Sequence, residues 1–178
     1  MRRLILMRHA KSSWDDPALD DFERPLKNRG LRDAPMMGRW LAEQDLKPEK
    51  VLCSPALRAR MTCELALDAL GAAPPVEHIE QLYTFGSPRP LIDAIRKAGG
   101  AAETLMLVGH NEALHDLALL LARDGEKKPL KRLRKKFPTA AVAAFELDID
   151  GWEQLSPAAT GTLTHYIRPK DLRKNKNG

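Results

Sequence analysis

Residues 3–8, Arg-Leu-Ile-Leu-Met-Arg, hold four apolar residues in a row, and the run stops on Arg8 followed by His9. A short unbroken apolar run marks a strand covered on both faces, because a half-exposed strand would alternate apolar with polar. Similar runs return at 49–53 (EKVLC) and 103–108 (ETLMLV). Segments 28–45, 56–70, 88–98 and 112–123 read as helices. Pro35 implies a kink or a late start in the first of them. Ser54–Pro55 suits the start of the second, as a serine cap before a proline, and Gly71 suits its end. Residues 15–26 read as a loop, 75–83 can hold a short third strand, and 140–148 and 162–168 are late strands. Strand and helix alternate early, and two strands come late. This predicts an α/β fold: a three-layer α/β/α sandwich on a mainly parallel sheet with an antiparallel strand.

A chain of 178 residues is long enough to bury a core without disulfides or a structural metal, and we expect one domain over 1–172 with a basic, flexible tail at 173–178. Cys53 and Cys63 form neither a disulfide framework nor a metal knuckle, which fits free thiols in a cytoplasmic protein. No apolar run suits a signal peptide or a membrane span. The net charge of +5 is local. Segments 123–136 and 168–178 hold 13 of the 29 Lys/Arg and 3 of the 24 Asp/Glu, so the rest has 16 basic and 21 acidic residues. The basic stretch 127–136 is either a solvated face or a patch for an acidic partner or nucleic acid. Phe137 is the aromatic beside it, which disfavours base stacking and hence nucleic acid.

In open α/β sheets, sites form at the carboxyl ends of strands. Three such ends carry chemistry here: Arg8–His9, Ser54–Pro55 with Arg58 in the following turn, and Gly109–His110–Asn111. Two arginines and two histidines on one rim suit phosphoryl transfer. Guanidinium groups match phosphate oxygens and stay charged. A neutral histidine can attack phosphorus, and a second can stabilise the charge that develops. His78, His115 and His165 lack ligand spacing, and no phosphate-loop signature occurs, so neither a metal nor an NTPase is expected.

The stretches LMRH (6–9), SPALRARMT (54–62) and VGHN (108–111) resemble the histidine phosphatase superfamily, with its phosphoglycerate-mutase-like fold. Residues 26–34 (LKNRGLRDA) are similar to its first helix start, with Lys27 where threonine is usual. Within that superfamily, MRHAKSSW (7–14), RPLKNRG (24–30), KFPTAA (136–141) and the short length resemble the SixA-type phosphohistidine phosphatases, over about residues 3–172. The resemblance implies no large cap domain, no cofactor, His9 as nucleophile, and Arg8, Arg58 and His110 as its phosphate pocket. It also implies polar contacts from Ser12 and from the Asn111 backbone. The sequence departs from the family pattern at Ala10, Asp15 and Glu112–Ala113. Leu82 falls where ester-cleaving members carry an acid, and Glu80 is the nearest carboxylate that could replace it. An alkoxide leaving group needs a general acid, worth about 10²–10⁴-fold, whereas imidazole leaves more easily. The expectation is removal of phosphate from phosphohistidine, on a protein or a small phospho-substrate, through a phosphohistidine enzyme, with the oligomeric state open and a monomer favoured. The alternatives are a phosphatase for small phosphate esters and a non-catalytic binding module that uses 127–136.

Overall fold

β1 (Arg2–Arg8) is the buried strand that its apolar run predicts. Successive side chains point to opposite faces. Leu4 and Leu6 therefore enter one core cluster while Ile5 and Met7 enter the other, all four fully buried. Each such side chain contributes about 1.5–3 kcal/mol on leaving water. The computed structural model describes residues 1–176. After β1 come α1 (Asn28–Glu43), β2 (Lys50–Cys53), α2 (Leu57–Leu70), β3 (Val76–His78), α3 (Arg89–Ala98), β4 (Thr104–Gly109) and α4 (Ala113–Leu121). β5 (Asp124–Gly125), α5 (Lys127–Lys135), β6 (Val142–Leu147), β7 (Gly161–Ile167) and α6 (Pro169–Lys176) complete the order.

Among the described residues the strands form one seven-stranded sheet in the order β3-β2-β4-β1-β6-β7-β5. β6 runs against its neighbours β1 and β7, and the other pairings are parallel. Helices α1 and α2 cover one face through Met37, Leu41, Ala59 and Cys63. Helices α3, α4 and α5 cover the other through Leu91, Ile95, Leu114, Leu117, Leu130 and Leu133. The fold is the expected three-layer α/β/α sandwich. Gly38 lets α1 and α2 approach closely, since a Cβ there would lie 2.1 Å from the Ala66 carbonyl oxygen.

Two local expectations are corrected. Pro35 lies inside an unbroken α1 and neither delays nor ends it. Ser54–Pro55 does not open α2, which starts at Leu57 after Ala56, because the Ser54 hydroxyl is held by a histidine described below. The basic stretch 127–136 contains α5, whose buried residues are Leu130 and Leu133. The boundary at residue 172 falls inside α6, where Arg173 pairs with Asp33 at 2.6 Å. Residues 177–178 of the expected tail lie outside the described residues. Among the described residues no helix is long and apolar enough to cross a membrane.

Candidate active site

Because β4 lies between β2 and β1, three distant motifs meet at one rim. The Ser54 N–H donates to the Val108 carbonyl at 3.0 Å, and the His9 N–H donates to the Gly109 carbonyl at 3.1 Å. The His9 and His110 rings come within 5.2 Å, centre to centre. Helix α2 locks the turn after His9. The Ala10 N–H donates to Thr62 Oγ1 at 2.9 Å, and the Thr62 hydroxyl donates to the Arg58 carbonyl at 2.7 Å. On the other side, Gly30 lets α1 lie against the loop, since a Cβ there would meet the Lys11 carbonyl oxygen at 2.2 Å.

His9 is buried, and burial holds it well below the ordinary imidazole range. The Ala10 carbonyl opposes that shift, while His110, Arg8 and Arg58 reinforce it. The ring is therefore neutral and carries one N–H. Its Nδ1 lies 2.8 Å from the Ala10 carbonyl, which can only accept, so the proton is on Nδ1 and the lone pair on Nε2.

His110 is also neutral. Burial, then the Arg58 charge, lowers its pKa to about 3. Its Nε2 lies 2.7 Å from Ser54 Oγ, whose other contact is an accepted Ala56 N–H at 3.3 Å. Tyr83 and Phe85 pack their rings against His110, with centres 5.5 and 5.0 Å away.

Arg58 is 2% exposed and is held by Asp21. Its Nη1 donates to the Asp21 backbone carbonyl at 2.6 Å and its Nη2 to the Asp21 carboxylate at 2.9 Å. The same carboxylate accepts the Tyr83 hydroxyl and Arg24 Nε. Burial would raise the Asp21 pKa, but the Tyr83 and Arg58 hydrogen bonds hold it at about 2. Among the described residues four buried polar atoms of this cluster have no protein partner: Arg8 Nε, Arg58 Nε and His110 Nδ1, together with the acceptor Asn111 Oδ1. Buried polar atoms are rarely left unpaired, so this set of donors suits an oxyanion.

A family model of the histidine phosphatase superfamily (branch 1) matches residues 4–85. An uncharacterized protein of Mycobacterium tuberculosis is 33% identical over 163 residues, which cover 90% of this chain and 99% of that protein. The chain belongs to the histidine phosphatase superfamily. The phosphohistidine phosphatase SixA of Escherichia coli is 28% identical over 177 residues, 98% of each chain. The solved structure of the protein histidine phosphatase SixA complexed with tungstate is 27% identical and has a TM-score of 0.75, covering 96% of this chain and 99% of that one. The fold matches SixA and phosphoglycerate-mutase-like structures.

In this superfamily member the remaining expected site residues fall into two groups. Ser12 is buried near the cluster, but its Oγ accepts Arg24 Nη1 at 2.7 Å. Asn111 donates from Nδ2 to the Phe137 carbonyl at 2.8 Å, and the same carbonyl accepts Arg8 Nη1 at 3.3 Å. Glu80 is exposed and lines a surface cavity with Lys50, His78 and Asp93, and none of Arg8, His9, Arg58 and His110 is in that lining. Leu82 is fully buried. Asp15 and Asp16 are exposed, and the Asp16 carboxylate turns back to accept the Ala18 N–H. Sequence reasoning missed Asp21, Arg24 and Thr62. Asp21 and Arg24 sit in a polar segment that offers no periodicity, and nothing local marks them as partners of Arg58 and Ser12.

Proposed function

We propose that this chain is a phosphohistidine phosphatase in which His9 is the nucleophile. The observation that carries this reading is the neutral His9 ring, with its proton fixed on Nδ1 by the Ala10 carbonyl and its Nε2 lone pair free. Nε2 attacks phosphorus in line, the bond to the substrate nitrogen breaks, and His9 becomes phosphorylated on Nε2. A phosphorylated imidazole protonated on its other nitrogen departs as neutral imidazole, so no acid is needed at the departing atom. Water then attacks the phosphorus, the Nε2–P bond breaks, and its electron pair returns to His9. Retention of the Nδ1 proton makes His9 a good leaving group in that second step.

Arg8 and Arg58 offer their unpartnered Nε–H groups to the phosphoryl oxygens. If the Ser54 hydroxyl donates to His110 Nε2, the proton of neutral His110 sits on Nδ1 and also faces the anion. Both arrangements place donors where negative charge grows, the usual source of catalysis in such sites. The similarity to SixA favours N–P over O–P cleavage.

The test uses free phosphohistidine, a histidine-phosphorylated protein and several phosphate esters as substrates for the wild type and His9→Ala. The wild type is expected to prefer the phosphohistidine substrates and to form an acid-labile, base-stable phosphoenzyme. His9→Ala should form none and lose at least about 10³-fold in kcat. Comparable turnover by His9→Ala, or preference for esters, would overturn the reading.

A further inference from the structure

The solvent face of α5 is cationic throughout. Leu130 and Leu133 enter the core, while Lys127, Lys128, Lys131, Arg134, Lys135 and Lys136 are exposed. Among the described residues none of these six makes an ion pair. Six basic side chains elsewhere are matched among the described residues, including Arg58 with Asp21, Arg173 with Asp33 and Arg168 with Asp171, but only α5 gathers so many unmatched ones on one helix. Unmatched like charges on one helix repel one another. A facing acidic surface would relieve that repulsion.

The position of α5 matters as much as its charge. Its last residue is followed by Lys136 and then by Phe137, whose carbonyl holds both Arg8 and Asn111 at the site. At 1.5 Å per residue, the nine-residue helix extends only about 13 Å. A protein whose phosphorylated side chain reached His9 would come close to the C-terminal end of α5.

We propose that the exposed face of α5, continued by Lys136, docks an acidic surface of the protein whose phosphohistidine enters the site. This rests on the phosphohistidine reading above. Neither exposed leucine nor exposed aromatic is available on this face for a bilayer or for base stacking, since Leu130, Leu133 and Phe137 are all buried. The chain outside segments 123–136 and 168–178 has 16 basic against 21 acidic residues. An acidic partner is therefore steered towards these two basic segments, of which 123–136 leads into the site.

The experiment compares two synthetic phosphohistidine peptides, one flanked by glutamates and one by glutamines, with free phosphohistidine. The enzymes are the wild type and the triple variant Lys131→Glu, Arg134→Glu, Lys135→Glu. The wild type is expected to favour the glutamate peptide by about tenfold in kcat/KM at low salt, with the preference shrinking as salt rises. The triple variant should lose that preference and keep its kcat/KM on free phosphohistidine. A preference that survives in the triple variant, or that is absent in the wild type, overturns the proposal. Anisotropy with the unphosphorylated glutamate peptide separates docking from catalysis. If no peptide is hydrolysed, the catalytic reading fails, yet salt-sensitive binding lost in the triple variant still supports the docking face. Failure to bind that peptide, with α5-dependent binding of a single-stranded oligonucleotide or phosphatidylserine vesicles instead, overturns it.

Discussion

At the scale of single residues, burial decides protonation. An exposed histidine is half protonated near pH 6.5, but His9 and His110 are held below that by loss of water and by Arg58. Activity that depends on neutral rings therefore persists into mild acid. We expect kcat/KM on phosphohistidine, corrected for spontaneous hydrolysis, to show no loss centred near the ordinary imidazole pKa of about 6.5. A decline with that midpoint would show that His9 titrates normally. Asp21 is the second residue whose effect can be isolated. Its carboxylate orients Arg58 and ties it to Tyr83 and Arg24. Asp21→Asn keeps an acceptor but removes the charge, and a misaimed guanidinium typically costs about 10²-fold in rate. The expected result is a fall of about 10- to 100-fold in kcat and weaker tungstate binding, with unchanged circular dichroism.

At the scale of elements, the site depends on helices packing closely against strand ends. Thr62 on α2 satisfies the Ala10 N–H and so fixes the turn that carries His9. Thr62→Val leaves that N–H buried and unpaired, which should cost about 1–3 kcal/mol in urea unfolding and lower kcat as well. Gly38 sets the separation of α1 from α2. Gly38→Ala forces a Cβ against backbone, which cannot yield as a side-chain tip can. A loss of about 1–3 kcal/mol is expected, read as a lower urea midpoint with an unchanged slope. Helix boundaries that rest on apolar spacing were legible to within about two residues for α1 to α4. α5 was not, because only Leu130 and Leu133 mark its buried side and Pro129 sits between charges. The true start of α2 was hidden because Ser54 serves His110 and does not cap the helix.

At the scale of the whole molecule, the buried histidines link the site to acid stability. In the unfolded chain both rings take up protons below about pH 6.5, while in the folded chain they resist doing so, His110 down to about 3. The unfolded state then binds more protons, so stability falls as pH drops through that window. Asp21 acts in the same direction lower down, because its folded value of about 2 lies under the ordinary 3.8. Urea midpoints should fall between neutral pH and pH 5, and the fall should shrink in the His9→Asn, His110→Asn double variant. An equal fall in that variant would remove the two histidines from the account.

The sequence by itself determined the buried strands, most helix spans and the layered α/β class, and it singled out Arg8, His9, Arg58 and His110 as candidates. Apolar spacing and residue chemistry are local properties, and they survive in a linear reading. Strand order was decided only by the tertiary structure, and with it the meeting of β1, β2 and β4 at one rim. So were the Asp21–Arg58 clamp and the Thr62 tie. Each of these joins residues distant in the chain, where the free energy comes from packing and hydrogen bonds that no local pattern records.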